Sequence, residues 1–247
     1  RAAGGAPPKA VTIDANLMHF SDEALLRVIC ERAEVEIDDI AIVWASPPCR
    51  TFSIADASNI SRGHNFRDHD DPSKPPNERN PVKAAIAREH DELVQKLLGF
   101  MYFLRNRGSR CWNFLENPRG SLERRPYMAL EKLPGITRDL IDQCAYGRDY
   151  MKPTHIWHRS GWTPQGVTGD GRCHARCFAG EYREGYYRHF KGLAQEPHRG
   201  PRGDGHLKEK NKLPEDLLRE ILTAMQSQDD APRGKVIVDL CSGYQSW

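Results

Sequence analysis

Hydrophobic and polar positions along the 247-residue chain switch between two periods. Val11-Thr-Ile-Asp14 is a short β-rich run that ends in an acid. Ser21 to Cys30 follows, with a serine cap and apolar residues at helical spacing. Ile40 to Ala45 is continuously apolar and of strand length, the pattern of a strand buried on both faces. Pro81 to Arg105 places Leu93, Val94, Leu97, Leu98, Met101 and Leu104 on one face, which predicts the strongest helix of the chain. Cys111 to Leu115 (running on into Glu116-Asn-Pro118), Ile141 to Tyr146, Thr154 to Trp157 and Lys235 to Leu240 read as further strands, and Pro214 to Met225 as a short amphipathic helix. Between them Ser58 to Pro81 is polar and rich in Gly, Pro, His and Asp; a loop of that length is functional or disordered. No internal repeat is visible. Strands alternating with helices predict an α/β fold, a mostly parallel sheet with helices on both faces.

A hydrophobic content of 38% and a charged content of 28% suit one globular core. The longest apolar runs are far too short to cross a bilayer, so no membrane partner is expected. No secretory signal is visible, and the chain opens on Arg1, which reads as a processed product or a slice of something longer. Seven scattered cysteines, an odd number, fit reduced thiols better than a disulfide scaffold and lead to an intracellular expectation. A net charge of +2 says little, but its distribution says more. From His158 to Lys212 eleven Lys or Arg face six Asp or Glu, interleaved with Trp162, Tyr182, Tyr186, Tyr187 and Phe190. Basic side chains among aromatics suit a nucleic-acid surface; a solvated loop region accounts for them equally well.

In open α/β sheets ligands bind at the carboxyl ends of strands. Asp239 to Gly243, Asp14, Cys49 and Glu116 are all expected there. Singly, each has a plainer reading: an acid after a strand is commonly a turn former, and a cysteine there is commonly packed. As a set they resemble the cytosine-C5 methyltransferases, enzymes that methylate carbon 5 of cytosine from S-adenosylmethionine. Ser46-Pro-Pro-Cys49-Arg-Thr-Phe-Ser53 is similar to the family's Pro-Cys nucleophile motif, Phe114-Leu-Glu116-Asn117-Pro118 to its Glu-Asn-Val motif, and Val238-Asp239-Leu-Cys-Ser-Gly243 to its cofactor motif.

The resemblance implies a Rossmann-like class I methyltransferase sheet. Residues 1–157 and 213–247 would form the methyltransferase domain, and 158–212 a small Gly/Arg-rich target-recognition region. It implies Cys49 as the thiolate that adds to carbon 6, held by Pro47 and Pro48, with Glu116 at ring N3 and the exocyclic amine and Asn117 beside it in the catalytic motif. The base would have to leave its stack, with the loop Ser58 to Pro81 closing over it. S-adenosylmethionine would be held by Asp239, Leu240, Cys241, Ser242 and Gly243, by Asp14, Ala15 and Leu17, and by Ser46 and Pro47. Nucleic acid, double-stranded DNA before RNA, would meet Arg50, Ser53, Arg62, Arg172, Arg176, Arg183, Arg188 and Lys191, and the setting would be nucleus or nucleoid. The family's Gln-x-Arg-x-Arg pattern is altered in Gln143-Cys-Ala-Tyr-Gly147, where Ala145 stands at the first arginine and Arg148 is the neighbouring candidate. Gly243-Tyr-Gln245 also lacks a second glycine.

The cofactor motif lies at the wrong end of the chain for this family. Joining Trp247 to Arg1 on paper leaves 21 residues between Asp239 and Asp14 (240–247 and 1–13), about one strand-helix-strand unit. The motif order is therefore circularly permuted, or the chain is cut from tandem copies; a neighbouring copy or partner subunit would then complete the cofactor site. Two other functions compete: a degenerate methyltransferase-fold module that only holds nucleic acid, and an N4-cytosine amino-methyltransferase, which needs an aromatic residue where Cys49 stands. Cys173, His174 and Cys177, with His155, His158 and His189 near in sequence, raise a zinc site; a lone C-x-x-x-C without a second pair favours ordinary loop cysteines and no metal.

Overall fold

The computed structural model describes residues 9–13, 16–57, 65–190, 213–229, 231–232 and 234–240. Six strands form the main sheet: β1 (Lys9–Ile13), β2 (Ile40–Ala45), β3 (Trp112–Pro118), β4 (Thr137–Asp142), β5 (Pro153–Arg159) and β8 (Val236–Leu240). Their spatial order is β1-β8-β2-β3-β5-β4. β1, β8, β2 and β3 are parallel, while β5 runs antiparallel to both β3 and β4. The C-terminal strand β8 is thus a central one, inserted between β1 and β2. A separate hairpin joins β6 (Gly180–Arg183) to β7 (Tyr186–His189).

Three helices cover the sheet. In α1 (Asp22–Ala33), Ser21 Oγ caps the Ala24 amide at 3.2 Å, and Glu34 ends the helix in a left-handed conformation (φ 57°). In α2 (Pro81–Asn106) the Asn80 side chain caps the Lys83 amide, and Pro81 occupies the first turn, where its missing N–H costs nothing. Leu25, Ile29, Leu93, Leu97, Phe100 and Leu104 from these two helices share one core with Val43, Leu115, Val238 and Leu240. On the opposite face α3 (Glu215–Gln226) sets Leu217 and Ile221 against Trp44, Trp112, Phe114, Ile156 and Trp162. Each such fully buried aliphatic side chain contributes about 1.5–3 kcal/mol. Helices on both faces of a mostly parallel sheet are the arrangement the alternation of periods predicts.

Two boundaries differ from the sequence expectation for a tertiary reason. β4 is Thr137–Asp142 rather than Ile141 to Tyr146, because Ile141 and Asp142 end the ladder with β5 and 143–146 coil into a 3-10 turn stopped by Gly147 at φ 87°. β3 runs on to Pro118 as expected, held there by pairing with β5 as far as Pro118–Thr154. β5 continues to Arg159, and Trp162 is core, so the main sheet reaches past residue 158. Among the described residues no helix is long and apolar enough to cross a membrane.

Candidate active site

β2 is buried at every position, so its exit is fixed by its neighbours on both sides. The Ser46 amide continues the ladder by donating to the Leu240 carbonyl of β8 at 3.2 Å. Pro47 and Pro48 are buried and have no amide hydrogens to satisfy. The Pro47 carbonyl is taken by Asn117 Nδ2 of β3 at 3.0 Å, which fastens the proline pair to the neighbouring strand. Cys49 then opens a turn, its carbonyl accepting the Phe52 amide at 3.0 Å. Phe52 in turn receives the Ser121 amide at 2.7 Å, and Ser53 bridges Gly120. A Cβ on Gly120 would strike the Phe52 carbonyl, so this position requires glycine for close approach rather than for φ.

Glu116 arrives from the adjacent strand. The β2–β3 register ends at Ala45–Leu115, which leaves Glu116 one residue past the last pair, on the edge from which Cys49 departs. The Ser46 hydroxyl donates to the Glu116 carboxyl and accepts from Trp44 Nε1 at 3.0 Å, a relay that orients the acid. Glu116 Oε1 and Asn117 Oδ1 are buried without a hydrogen-bond partner. Two orphaned acceptors on consecutive residues at the end of one strand are a feature a ligand would satisfy.

The electrostatics join these residues. Burial pushes the Glu116 carboxyl well above the usual carboxylate range, opposed by Lys152 and the Ser46 hydroxyl. Burial also raises the Cys49 thiol; Lys152 pulls it down and Glu116 adds to the rise. Cys49 and Glu116 therefore lie within each other's field and share one cation. Lys152 is buried just ahead of β5 and carries no motif; its only signal is a basic residue beside the strand-opening Pro153. Arg148, the candidate for the missing arginine, instead donates from Nη2 to the Leu213 carbonyl ahead of α3.

Behind the cysteine turn sits a charged layer that no pattern in the sequence announces. Arg67 is fully buried over the Phe52 ring, 4.5 Å from its centroid, and donates to the Thr51 carbonyl at 3.1 Å, the Ala87 carbonyl at 3.2 Å and Asp91 at 2.6 and 3.0 Å. Arg125 grips the same Asp91 at 3.1 and 2.9 Å and also the carbonyls of Ser73 and Lys74. Thr51 Oγ1 meets His90 Nδ1 at 3.0 Å, and burial holds the His90 imidazole down at about 4, neutral at pH 7. Asp56 accepts the Phe66 and Arg67 amides at 2.9–3.2 Å, joining the two sides of the segment between them. The expectation that all of Ser58 to Pro81 closes as one loop is therefore corrected. From residue 65 onward it is a fixed layer, because a buried guanidinium pair and Asn77, bonded to the Asn65 carbonyl at 3.1 Å, anchor it.

The remaining expected residues divide. Asp239 and Leu240 end β8, opposite Thr12 and Ile13 of β1 and Trp44 and Ala45 of β2. Leu17 is 1% exposed, packed in the core with α1 and α2, and presents no open surface for an adenine ring. Arg50 is exposed above the Phe66 ring at 5.0 Å. Arg172 is bonded to Asp142 at 2.9 Å, and Arg183 pairs with Glu181, so these two are already engaged. Arg176 is exposed, and Arg188 lies over Tyr186. His174 turns outward to Asp170 at 2.7 Å, away from the thiols of Cys173 and Cys177. Asp14, Ala15, Arg62, Lys191, Cys241, Ser242 and Gly243 lie outside the described residues. A shallow groove along α3 lies apart from this edge. Both its carboxylates are engaged: Glu220 is bonded to Trp162 Nε1, the Gln165 amide and the Tyr146 hydroxyl, and Asp216 accepts from Arg219 Nη1 at 2.9 Å.

No protein-family model matches the chain, and no curated protein matches it.

Proposed function

We propose that the chain is an S-adenosylmethionine-dependent methyltransferase acting on carbon 5 of cytosine in nucleic acid, DNA before RNA. The observation that carries the reading is the meeting of Cys49 and Glu116 from two adjacent parallel strands around Lys152. An amino-methyltransferase has no use for that thiol.

Strand order supports the permuted reading. With β8 counted first, the order β1-β8-β2-β3-β5-β4 becomes 2-1-3-4-6-5, whose first four members follow the doubly wound pattern with its crevice between strands 1 and 3. That crevice lies between β8 and β2. Asp239 and Leu240 line it from one side and Ser46 and Pro47 from the other. An acid at the end of a central strand fits the ribose hydroxyls of a nucleoside cofactor. When bound, S-adenosylmethionine supplies an electrophilic methyl group.

The chain's own residues prepare the base. Cys49 sulfur forms a bond to carbon 6, and the displaced π electrons load carbon 5 as an enamine. Glu116, whose carboxyl burial pushes toward the protonated form, donates its proton toward N3 as that charge develops. With a methyl group on carbon 5, a water molecule would take the carbon-5 proton, the electrons would restore the 5,6 double bond and expel the thiolate from carbon 6, and N3 would return its proton to Glu116, so Cys49 and Glu116 would end as they began. One buried lysine can balance one anion. Burial raises the Cys49 thiol and Lys152 opposes that rise, so protonation of Glu116 would remove the carboxylate's share of it and favour the thiolate this sequence of events needs. The exposed aromatics of the hairpin, Tyr182, Tyr186 and Phe190, with Arg176 and Arg188, offer a nucleic-acid surface.

Labelled methyl transfer to cytosine-containing DNA and RNA, wild type against Cys49→Ala, tests the proposal. Wild type transfers label, Cys49→Ala does not, and 5-fluorocytosine DNA traps only the wild type. Transfer that survives Cys49→Ala rejects carbon-5 chemistry. Lack of any cofactor binding by calorimetry favours a module that only holds nucleic acid.

A further inference from the structure

We propose that Cys144, Cys173, Cys177 and His189 form a structural zinc site that ties the β6–β7 hairpin to the main sheet. The four ligand atoms lie within 4.8 Å of one another. Cys177 Sγ also meets the Tyr187 hydroxyl at 3.3 Å, but the three thiols converge on one ring nitrogen. His189 Nε2 is 3.5 Å from Cys144 Sγ, 3.7 Å from Cys173 Sγ and 3.3 Å from Cys177 Sγ. A neutral ring nitrogen has one lone pair and accepts one hydrogen, so hydrogen bonding to it could satisfy only one of the three thiols. A cation at the centre satisfies all four donors. Tetrahedral zinc, with Zn–S of about 2.3 Å and Zn–N of about 2.0–2.1 Å, sets neighbouring ligand atoms about 3.5–3.8 Å apart. The Cys144 and Cys173 edges fall within that range, and the Cys177 edge, at 3.3 Å, lies just below it.

The backbone is shaped for the purpose. His174 and Ala175 both adopt positive φ (40° and 62°), and the Arg176 amide donates to the Cys173 carbonyl at 2.7 Å. This knuckle brings Cys177 back beside Cys173. Cys144 comes from the turn after β4 and His189 from the last position of β7, so the set closes three segments far apart in sequence. Asp142 Oδ2 accepts the Cys173 amide at 3.1 Å and so braces the knuckle from the sheet side.

Energetics give the reason for a metal here. The three buried cysteines share their cluster with one other buried residue, Ala179, and with the partly buried Ala145, Met151 and Tyr187. An apolar core that small cannot hold a hairpin and its loops in place, and a structural metal is the usual substitute. Three thiolates and an imidazole select zinc over hard cations, and four protein ligands leave no open position for catalysis. His174, next to Cys173 in sequence, is excluded because it points outward to Asp170. The site does not depend on the methyltransferase reading.

Elemental analysis of the full chain, purified under reducing conditions, tests it. Wild type is expected to carry about one zinc, and an organomercurial that titrates the thiols should release it. Cys173→Ser and His189→Ala lose at least about tenfold in zinc content, while His174→Ala retains it. Cobalt(II) exchanged into wild type should show the charge-transfer and ligand-field absorption of a tetrahedral thiolate site. That wild-type measurement decides the matter even if the variants fail to fold. A metal-free chain that takes up neither zinc nor cobalt, a disulfide between any two of the three thiols, or zinc retained by Cys173→Ser would each overturn the assignment.

Discussion

Replacing Asp91 by alanine tests whether the turn carrying Cys49 is held from behind by buried charge. The Asp91 carboxylate accepts two bonds from Arg67, two from Arg125 and one from the Tyr127 hydroxyl. Arg67 is 0% exposed and Arg125 is 9% exposed, so neither guanidinium can turn to water when its partner is removed. Removing one member of such a buried pair costs about 3–5 kcal/mol, against less than about 1 kcal/mol for a surface pair. Five donors on one carboxylate argue for the upper half of that range. At about 2–4 °C per kcal/mol for a chain of this size, Tm should fall by roughly 10–20 °C. Urea unfolding followed by tryptophan fluorescence measures this directly, because Trp44, Trp112, Trp157 and Trp162 are all buried. The slope should stay constant while the midpoint drops. Since Arg67 also holds the Thr51 carbonyl, methyl transfer should fall even at temperatures where the variant is folded. A loss below about 1 kcal/mol would refute the reasoning, for it would mean that water already shares this charge.

Glu116→Gln probes the raised carboxyl. Folding favours protonated Glu116, so its contribution is complete below the ordinary glutamate value of about 4.3 and is lost as pH rises through the higher folded value. Wild type should therefore lose stability relative to Glu116→Gln as urea midpoints are followed upward from pH 4; parallel curves would contradict this. His90→Gln probes the opposite sign. Burial holds His90 at about 4, so its contribution is complete above the unfolded value of about 6.5 and disappears as pH falls toward 4, worth up to about 3 kcal/mol. The variant should flatten the acid limb of stability by that amount, and an unchanged limb would count against it. Gly120→Ala should push the Phe52 carbonyl away, cost about 1–3 kcal/mol and speed alkylation of Cys49; unchanged midpoint and labelling rate would show that the turn is not pinned there.

Much of this fold was legible because it rests on local rules. Ile40 to Ala45 is a strand at those bounds, since six apolar residues in a row can be satisfied only by burial on both faces. Ser21 starts its helix by side-chain capping, as its place before the apolar period indicates. Cys49 and Glu116 were legible as strand-end residues, because a parallel sheet brings all such ends to one edge. Other features were not legible, because they depend on partners far along the chain. Lys152 acquires meaning only when β5 pairs antiparallel with β3 and brings residue 152 to that edge. Arg67 lies in a stretch whose composition reads as solvated loop, and only Asp91 on α2 and Arg125 make its burial possible. The thiols of Cys144 and Cys173 are separated by 28 residues, so no short-spacing rule joins them, and the C-x-x-x-C pointed to the exposed His174 instead of His189.

The central position of β8 explains why one edge can serve both halves of the proposed chemistry. A strand at the edge of a sheet has one neighbour, whereas β8 has two, both parallel to it. Its carboxyl end therefore faces the ends of β1 and β2 at once. β2 carries the cysteine turn and, through Ser46 and Asn117, is fastened to β3 and Glu116. Any ligand held at Asp239 is then within two strand spacings of Glu116, about 10 Å, with the Cys49 turn between them. That distance suits a cofactor and a pyrimidine lying side by side. It exists only because the last strand of the chain folds into the middle of the sheet and not onto its edge. Asp239, near the end of β8, is therefore set beside the ends of β1 and β2, where the proposed cofactor would lie.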